Sequence, residues 1–262
     1  MRTLGSRAAA AALTLAALAG CGSSTAPAAV PPGGSGVPAL TGTVTVLAAS
    51  SLTGSFTELA RRFEAAHPGT TVRLSFGASS ALAAQVVNGV DADVLATAST
   101  TTMATVTDAG LAGTPEVFAV NRLAIATPPE GSDVTSLDDL AAPGVTVAIC
   151  QPQVPCGAAT QKLFSQVGLT VAPATEEADV KAVLTKVELG EVDAGVVYVT
   201  DVEAAGSRVR GVLIPDADNV TTSYPIATLD SAPSAAGAAA FVALVLSPEG
   251  RAVLAEAGFG SP

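Results

Sequence analysis

The chain has no tryptophan, two tyrosines and seven phenylalanines, so aromatic residues are only 3% of its 262 positions. Sugar clefts stack rings on aromatic faces, and this sequence offers little to stack on. Histidine occurs once, at His67. With no HExxH and no CxxC pattern, a zinc centre of ordinary ligand count is excluded. Also missing are a GxSxG elbow, a P-loop and a GxGxxG turn, the common signatures of α/β enzymes. Basic residues are scarce, with 12 Lys and Arg against 23 Asp and Glu and a net charge of −11. Nucleic-acid binding by counterion release is therefore disfavoured. The net field also repels anions, so any anion site must work through local hydrogen bonds. Arg122 is the one mid-chain arginine near an expected strand crossing, and no acidic partner of the kind an amino-acid clamp requires is evident for it in the sequence.

What is present begins with a targeting pattern. Arg2 and Arg7 flank the start of an apolar run, Ala8 to Ala19, that is too short for a permanent membrane span. It ends in Leu18-Ala19-Gly20-Cys21, which resembles the lipobox of bacterial lipoproteins. Residues 1–20 are therefore expected to be a lipoprotein signal peptide, with Cys21 as the lipidated residue. Residues 21–41, rich in Gly, Ser, Pro, Ala and Thr, read as a flexible linker from lipid to domain. Export places the chain at the extracytoplasmic face of the membrane, where thiols oxidise. Cys150 and Cys156 lie six residues apart there, either as a disulfide or as two buried thiols. Pro152 and Pro155 fold the intervening loop back, which favours the bridge.

The rest of the chain alternates strands and helices. Thr43 to Ala49 is a Val-rich apolar run suited to a buried parallel strand. It stops at Ser50-Ser51, and Phe56, Leu59, Ala60 and Phe63 then recur at helical spacing. Hydroxyls thus sit where a strand ends and a helix begins. Open α/β sheets bind ligands at that place, because helix N-termini carry unpaired N–H groups and partial positive charge. The unit repeats at Thr71 to Phe76, Gly77-Ala78-Ser79-Ser80 and a helix from about Ala81. Glu116 to Val120 and Leu123 to Thr127 read as two runs about Asn121-Arg122, a candidate crossing between lobes. A short helix is expected at Ser136 to Leu140 with Ser136 as N-cap, and another at Glu176 to Leu189. Strands Val145 to Cys150 and Val192 to Val199 and two Ala-rich C-terminal helices complete the pattern. The fold class is α/β, two lobes of mostly parallel sheet flanked by helices.

Seven segments in order carry a further resemblance: Ala49-Ser50-Ser51-Leu52, Ser75-Phe76-Gly77-Ala78-Ser79-Ser80, Ala92-Asp93-Val94, Val154-Pro155-Cys156-Gly157, Asp179-Val180, Gly195-Val196-Val197-Tyr198 and Tyr224-Pro225-Ile226. Over about residues 43–262 the chain resembles the periplasmic molybdate-binding proteins, the substrate-binding components of molybdate ABC transporters. The resemblance implies a two-lobed type II periplasmic binding fold, with lobe 1 at 42–121 and 223–262 and lobe 2 at 122–222. It implies an oxyanion held in the interlobe cleft by neutral hydrogen bonds. The implied ligand set is the hydroxyls of Ser51, Ser79 and Tyr198 and the backbone N–H groups of Cys156 and Val180. Cys156 stands where many relatives have alanine, and a bridge to Cys150 would fix its N–H.

Taken singly, Ser51 and Ser79 are ordinary helix caps, Tyr198 a core aromatic and Tyr224 a structural residue held extended by Pro225. Asp91, Asp93, Asp138 and Asp139 read as solvated or capping groups, with orientation of backbone near the site as a second reading of Asp93. The mapped positions contain no carboxylate, which disfavours phosphate, since phosphate brings a proton that needs an acceptor. The expected function is capture of molybdate, with tungstate as a second ligand, and delivery to a membrane permease. No enzyme activity, cofactor, metal ligand or nucleic-acid partner is expected, and the chain should be a monomer. A sulfate binder is the nearest alternative; an exported α/β enzyme or a scaffold module is further off.

Overall fold

A computed structural model describes residues 40–262. The expected signal peptide, the linker as far as residue 39 and Cys21 lie outside the described residues. The first strand, β1 (Gly42–Ala49), pairs in parallel with β2 (Thr70–Gly77) and β3 (Val94–Ala96). Between them run α1 (Thr53–Ala66) and α2 (Ser79–Val87), and α3 (Thr100–Thr107) follows β3. Val44, Val46, Ala48 and Leu52 are buried with Phe56, Leu59 and Phe63 of α1, which is why the Val-rich run folds inward.

The chain then leaves on β4 (Glu116–Thr127), one strand of 12 residues where the sequence reads as two. Asn121 and Arg122 do not break it; they mark where its partners change. Residues 116–122 pair with β9 (Thr221–Thr228), whereas 123–127 pair with β7 (Ala194–Tyr198) and β8 (Arg210–Leu213). Around this second region β5 (Val147–Cys150) pairs in parallel with β6 (Thr175–Glu177) and β7. Helices α4 (Pro155–Val167), α5 (Val180–Glu188) and α6 (Val199–Ala205) connect these strands. The chain returns on β9 and ends in α7 (Ala235–Leu246) and α8 (Pro248–Glu256). Phe241, Val245, Val253 and Leu254 of these helices share the core of α1. A separate core gathers Leu123, Ile125, Leu163, Val183, Val187 and Val196.

Three expectations are corrected. The helix expected from Glu176 is two elements: Thr175 to Glu177 is a strand beside β5, and Asp179 caps a helix that starts at Val180. Ser136 is not an N-cap; Asp138 to Ala141 is a 3-10 turn preceded by Leu137, and the Asp139 carboxylate accepts from the N–H groups of Thr135 and Ser136. Those bonds hold the Asp139 carboxyl below its ordinary range. Asp93 is neither solvated nor a helix cap. It is buried, and its two oxygens accept from Thr45 N at 2.7 Å and Ser234 N at 2.6 Å, tying β1 to the approach to α7.

Candidate functional site

Four helix starts and one strand end converge. A 3-10 turn, Ser50–Leu52, carries Ser51 from the end of β1 into α1. Ser79 opens α2, Pro155 and Cys156 open α4, Val180 opens α5, and Tyr198 ends β7. Ser51, Ser79, Cys156, Val180 and Tyr198 all line one small cavity, with Ala49, Ala78, Ala98, Val154 and Asp179 among its other walls. Its volume is about 10 Å³, about what one water molecule needs. Among the described residues no lysine or arginine lines it. A larger hollow of about 320 Å³ borders Ser51 on another side, but Glu58, Glu203 and Glu256 outnumber Lys181 in its lining and make it a poor home for an anion.

The donors at the small cavity have specific reasons to be unpaired. Pro155 at the start of α4 lacks an N–H, and the first intrahelical bond there is Ala158 N to Val154 O. The Cys156 N–H precedes that bond and has no partner among the described residues. At α5 the Asp179 carboxylate accepts from Lys181 N at 2.8 Å and Ala182 N at 3.1 Å, which leaves the Val180 N–H uncapped. The Ser79 hydroxyl oxygen accepts from Ala98 N at 3.0 Å, so its own proton is available to a ligand. The Ser51 hydroxyl lies 2.9 Å from the Tyr224 hydroxyl. The Tyr198 hydroxyl is buried and has no hydrogen-bond partner among the described residues. Burial, and next to it the proximity of Tyr224 and Asp201, push its pKa well up, so it stays a neutral donor.

Covalent structure holds one wall. Cys150 and Cys156 are joined by a disulfide, with Cα atoms 5.7 Å apart. The bridge ties the end of β5 to the first turn of α4. Behind Tyr198, its backbone N–H donates to Asp201 Oδ2 at 3.1 Å, and Lys181 Nζ lies 2.9 Å from Asp201 Oδ1. Asp201 is fully buried; burial raises its pKa while Lys181 opposes the rise.

Two features were missed from the sequence. Asp179 lines the cavity, so a carboxylate does stand in its wall; its Oδ1 is engaged on the α5 backbone. An Asp directly before an apolar-periodic run was a readable capping signal. Tyr224 does lie in the crossing strand, but it also reaches Ser51, 173 positions away in the sequence, and no local signal reports that contact. His67 closes α1 and packs on Phe63 at 4.6 Å between ring centroids, away from the cavity. Arg122 is exposed and pairs with Asp216, so it is not a ligand clamp.

Comparison with known proteins places the chain in a family. The model of a bacterial extracellular solute-binding protein family matches residues 44–260. The chain belongs to that family. It is 40% identical over 253 residues to the molybdate-binding protein ModA of Mycobacterium tuberculosis, covering 96% of this chain and 95% of that protein. Among solved structures, the periplasmic molybdate-binding protein of Azotobacter vinelandii superposes with a TM-score of 0.75 at 23% identity, covering 84% of this chain and 99% of that one. The sulfate-binding protein SubI of M. tuberculosis superposes with a TM-score of 0.70 at 18% identity, covering 83% and 86%. The fold is that of the type II periplasmic binding proteins. The family consists of solute-binding proteins, not enzymes, and uses no cofactor.

Proposed function

We propose that this protein binds molybdate, and tungstate as an ion of the same charge and donor demand, in the cavity between Ser51, Ser79, Cys156, Val180 and Tyr198. The observation that carries the reading is the wall itself: among the described residues its hydroxyl and amide donors lack protein acceptors, no basic side chain lines it, and its one carboxylate, Asp179, is engaged on the α5 backbone. A doubly charged oxo-ion supplies acceptors for all of them, and hydrogen bonds to an ion are about twice as strong as neutral ones. The relative at 40% identity, a molybdate-binding protein by name, favours molybdate over other tetrahedral dianions.

On the same reading, residues 42–121 and 223–262 form lobe 1 and residues 122–222 form lobe 2, hinged where β4 exchanges β9 for β7 and β8. Closure of the lobes buries the ion and presents a surface to an ABC permease. The Cys150–Cys156 bridge persists in the exported protein, Cys21 carries the lipid at the extracytoplasmic face, and the protein acts as a monomer.

Thermal unfolding of the purified protein with molybdate, tungstate, sulfate and phosphate tests the reading. A ligand at 100 times its Kd adds about 2.7 kcal/mol of stability. Stabilisation by molybdate and tungstate and not by the other two is the expected result. Stabilisation by sulfate alone would make the protein a sulfate binder, and none by any of the four would remove the anion site.

A further inference from the structure

We infer that Tyr224, oriented by Asn121, is a positioning residue that turns the Ser51 hydroxyl into an obligate donor toward the bound oxyanion. The inference rests on the proposed anion site and concerns the direction of protons within it.

The argument starts from a group with no choice. The backbone N–H of Arg122 can only donate, and it donates to Asn121 Oδ1 at 2.9 Å. That contact fixes the Asn121 amide, because the flipped amide would set its NH₂ against another donor. Asn121 Nδ2 therefore faces the other way, toward Thr200 Oγ1 at 2.8 Å and the Tyr224 hydroxyl oxygen at 3.4 Å. Both contacts are made with Nδ2 as donor. The Tyr224 oxygen thus accepts from Asn121 and has one proton of its own to place. The acceptor in reach is Ser51 Oγ at 2.9 Å. Ser51 in turn accepts from Tyr224, and its own proton has no protein acceptor among the described residues. That proton is left for the cavity that Ser51 lines.

Every member of the chain is held. Asn121, Tyr224 and Ser51 are buried, and Tyr224 is wedged edge-on between Phe118, Tyr198 and Phe259. The relay also spans the fold: Asn121 and Tyr224 sit on the two crossing strands, and Thr200 sits at the start of α6 beside Tyr198. Ser79 meets the same condition by a shorter route, since its oxygen accepts from the Ala98 N–H. Both serines are thereby polarised in one direction, as successive hydrogen bonds strengthen one another.

A double-mutant cycle on the full chain, read by calorimetric titration with sodium molybdate, tests the inference. Tyr224→Phe keeps the ring and removes the proton donor to Ser51. It should raise Kd about three- to tenfold. In a Ser51→Ala background the same substitution should change Kd less than about twofold, since nothing is left to orient. In a Ser79→Ala background the full effect should return. A Tyr224→Phe effect of equal size in all three backgrounds would show a merely structural role and overturn the inference. Should Tyr224→Phe fail to fold, Asn121→Ala, which frees the Tyr224 proton to rotate, must show the same coupling to Ser51 or the inference falls. A wild type that does not bind molybdate overturns the proposed function, and this inference with it; a binding wild type with an additive cycle overturns the inference alone.

Discussion

Gly157→Ala probes how the site is anchored to the fold. Gly157 is in the first turn of α4, directly after Cys156, and is buried. A Cβ there would overlap the Gln151 carbonyl oxygen, stand 2.5 Å from its carbon and lie 2.7 Å from the Cys150 carbonyl oxygen. All three atoms are backbone, so no side-chain rotation relieves them. Inserting a carbon into a packed site costs about 1–3 kcal/mol, and with only backbone to move the upper end applies. Alanine gains back up to about 1 kcal/mol in helix propensity, leaving a net loss of about 2 kcal/mol. For a domain of this size each kcal/mol is about 2–4 °C in Tm, so melting should fall by about 4–8 °C. The natural escape is for α4 to slide away from the end of β5, and the Cys150–Cys156 bridge blocks that movement. Calorimetric melting of Gly157→Ala in the native and the Cys150→Ser/Cys156→Ser backgrounds should therefore show a smaller loss without the bridge. A Tm within about 1 °C of wild type would refute the close contact. A loss of equal size in both backgrounds would refute the role given to the bridge.

Ser79→Ala strips the Ala98 N–H of its acceptor in a buried place, so it should destabilise the unliganded protein by about 1–3 kcal/mol and also weaken molybdate binding, read by denaturant titration and calorimetry in parallel. Asp193 has its pKa lowered by the Thr146 hydroxyl and N–H. Its stabilisation is present above the unfolded-state pKa and is lost as pH falls through the lower folded value. Asp193→Asn should thus cost about 1 kcal/mol at pH 7, after allowance for solvent screening, and nothing once both states are protonated, as urea titrations over pH should show. Asp201 runs the opposite way: its folded pKa is raised, so its charge opposes folding above that pKa and the penalty is relieved as pH falls. Asp201→Asn keeps an acceptor for Tyr198 N and should be tolerated, whereas Asp201→Ala orphans that N–H and should be less stable than the Asn variant by about 1–3 kcal/mol. Equal stabilities would refute the capping role. Reduction of the Cys150–Cys156 bridge removes a short-loop constraint of about 2–3 kcal/mol, and an unchanged Tm on reduction would show that the bridge is absent in solution.

What could be read from the sequence was what is decided locally. β1, with the serines at its end and the helix after it, is legible because burial of a parallel strand demands an unbroken apolar run and hydroxyls interrupt it abruptly. β2 is legible for another reason: at the edge of the sheet Val72 and Leu74 alternate with polar neighbours, and hydroxyls again follow the strand at the start of α2. α6 was missed because Val199 continues the apolar run of β7, so no change of period marks the junction. β6 was absorbed into a helix because Thr175-Glu176-Glu177 has no apolar alternation; it is a strand only because β5 offers it an edge. β4 looked like two strands because Asn121 and Arg122 are polar, yet a strand that leaves one sheet for another needs such groups at the exchange.

The site divides along the same line. Which donors face the cavity follows from local rules: a proline that removes one N–H, a carboxylate that caps two others, hydroxyls at the mouths of strands. Which way their protons point does not. Ser51 alone could donate or accept, and so could Tyr224. The Arg122 N–H sets Asn121 within β4, but only when β4 and β9 lie side by side does Asn121 reach Tyr224 and set it. A pocket of neutral groups has no fixed sign of its own. On the proposed relay this one acquires a sign because its two serine hydroxyls each accept a hydrogen bond from the protein behind them, Ser79 from the Ala98 N–H and Ser51 from Tyr224.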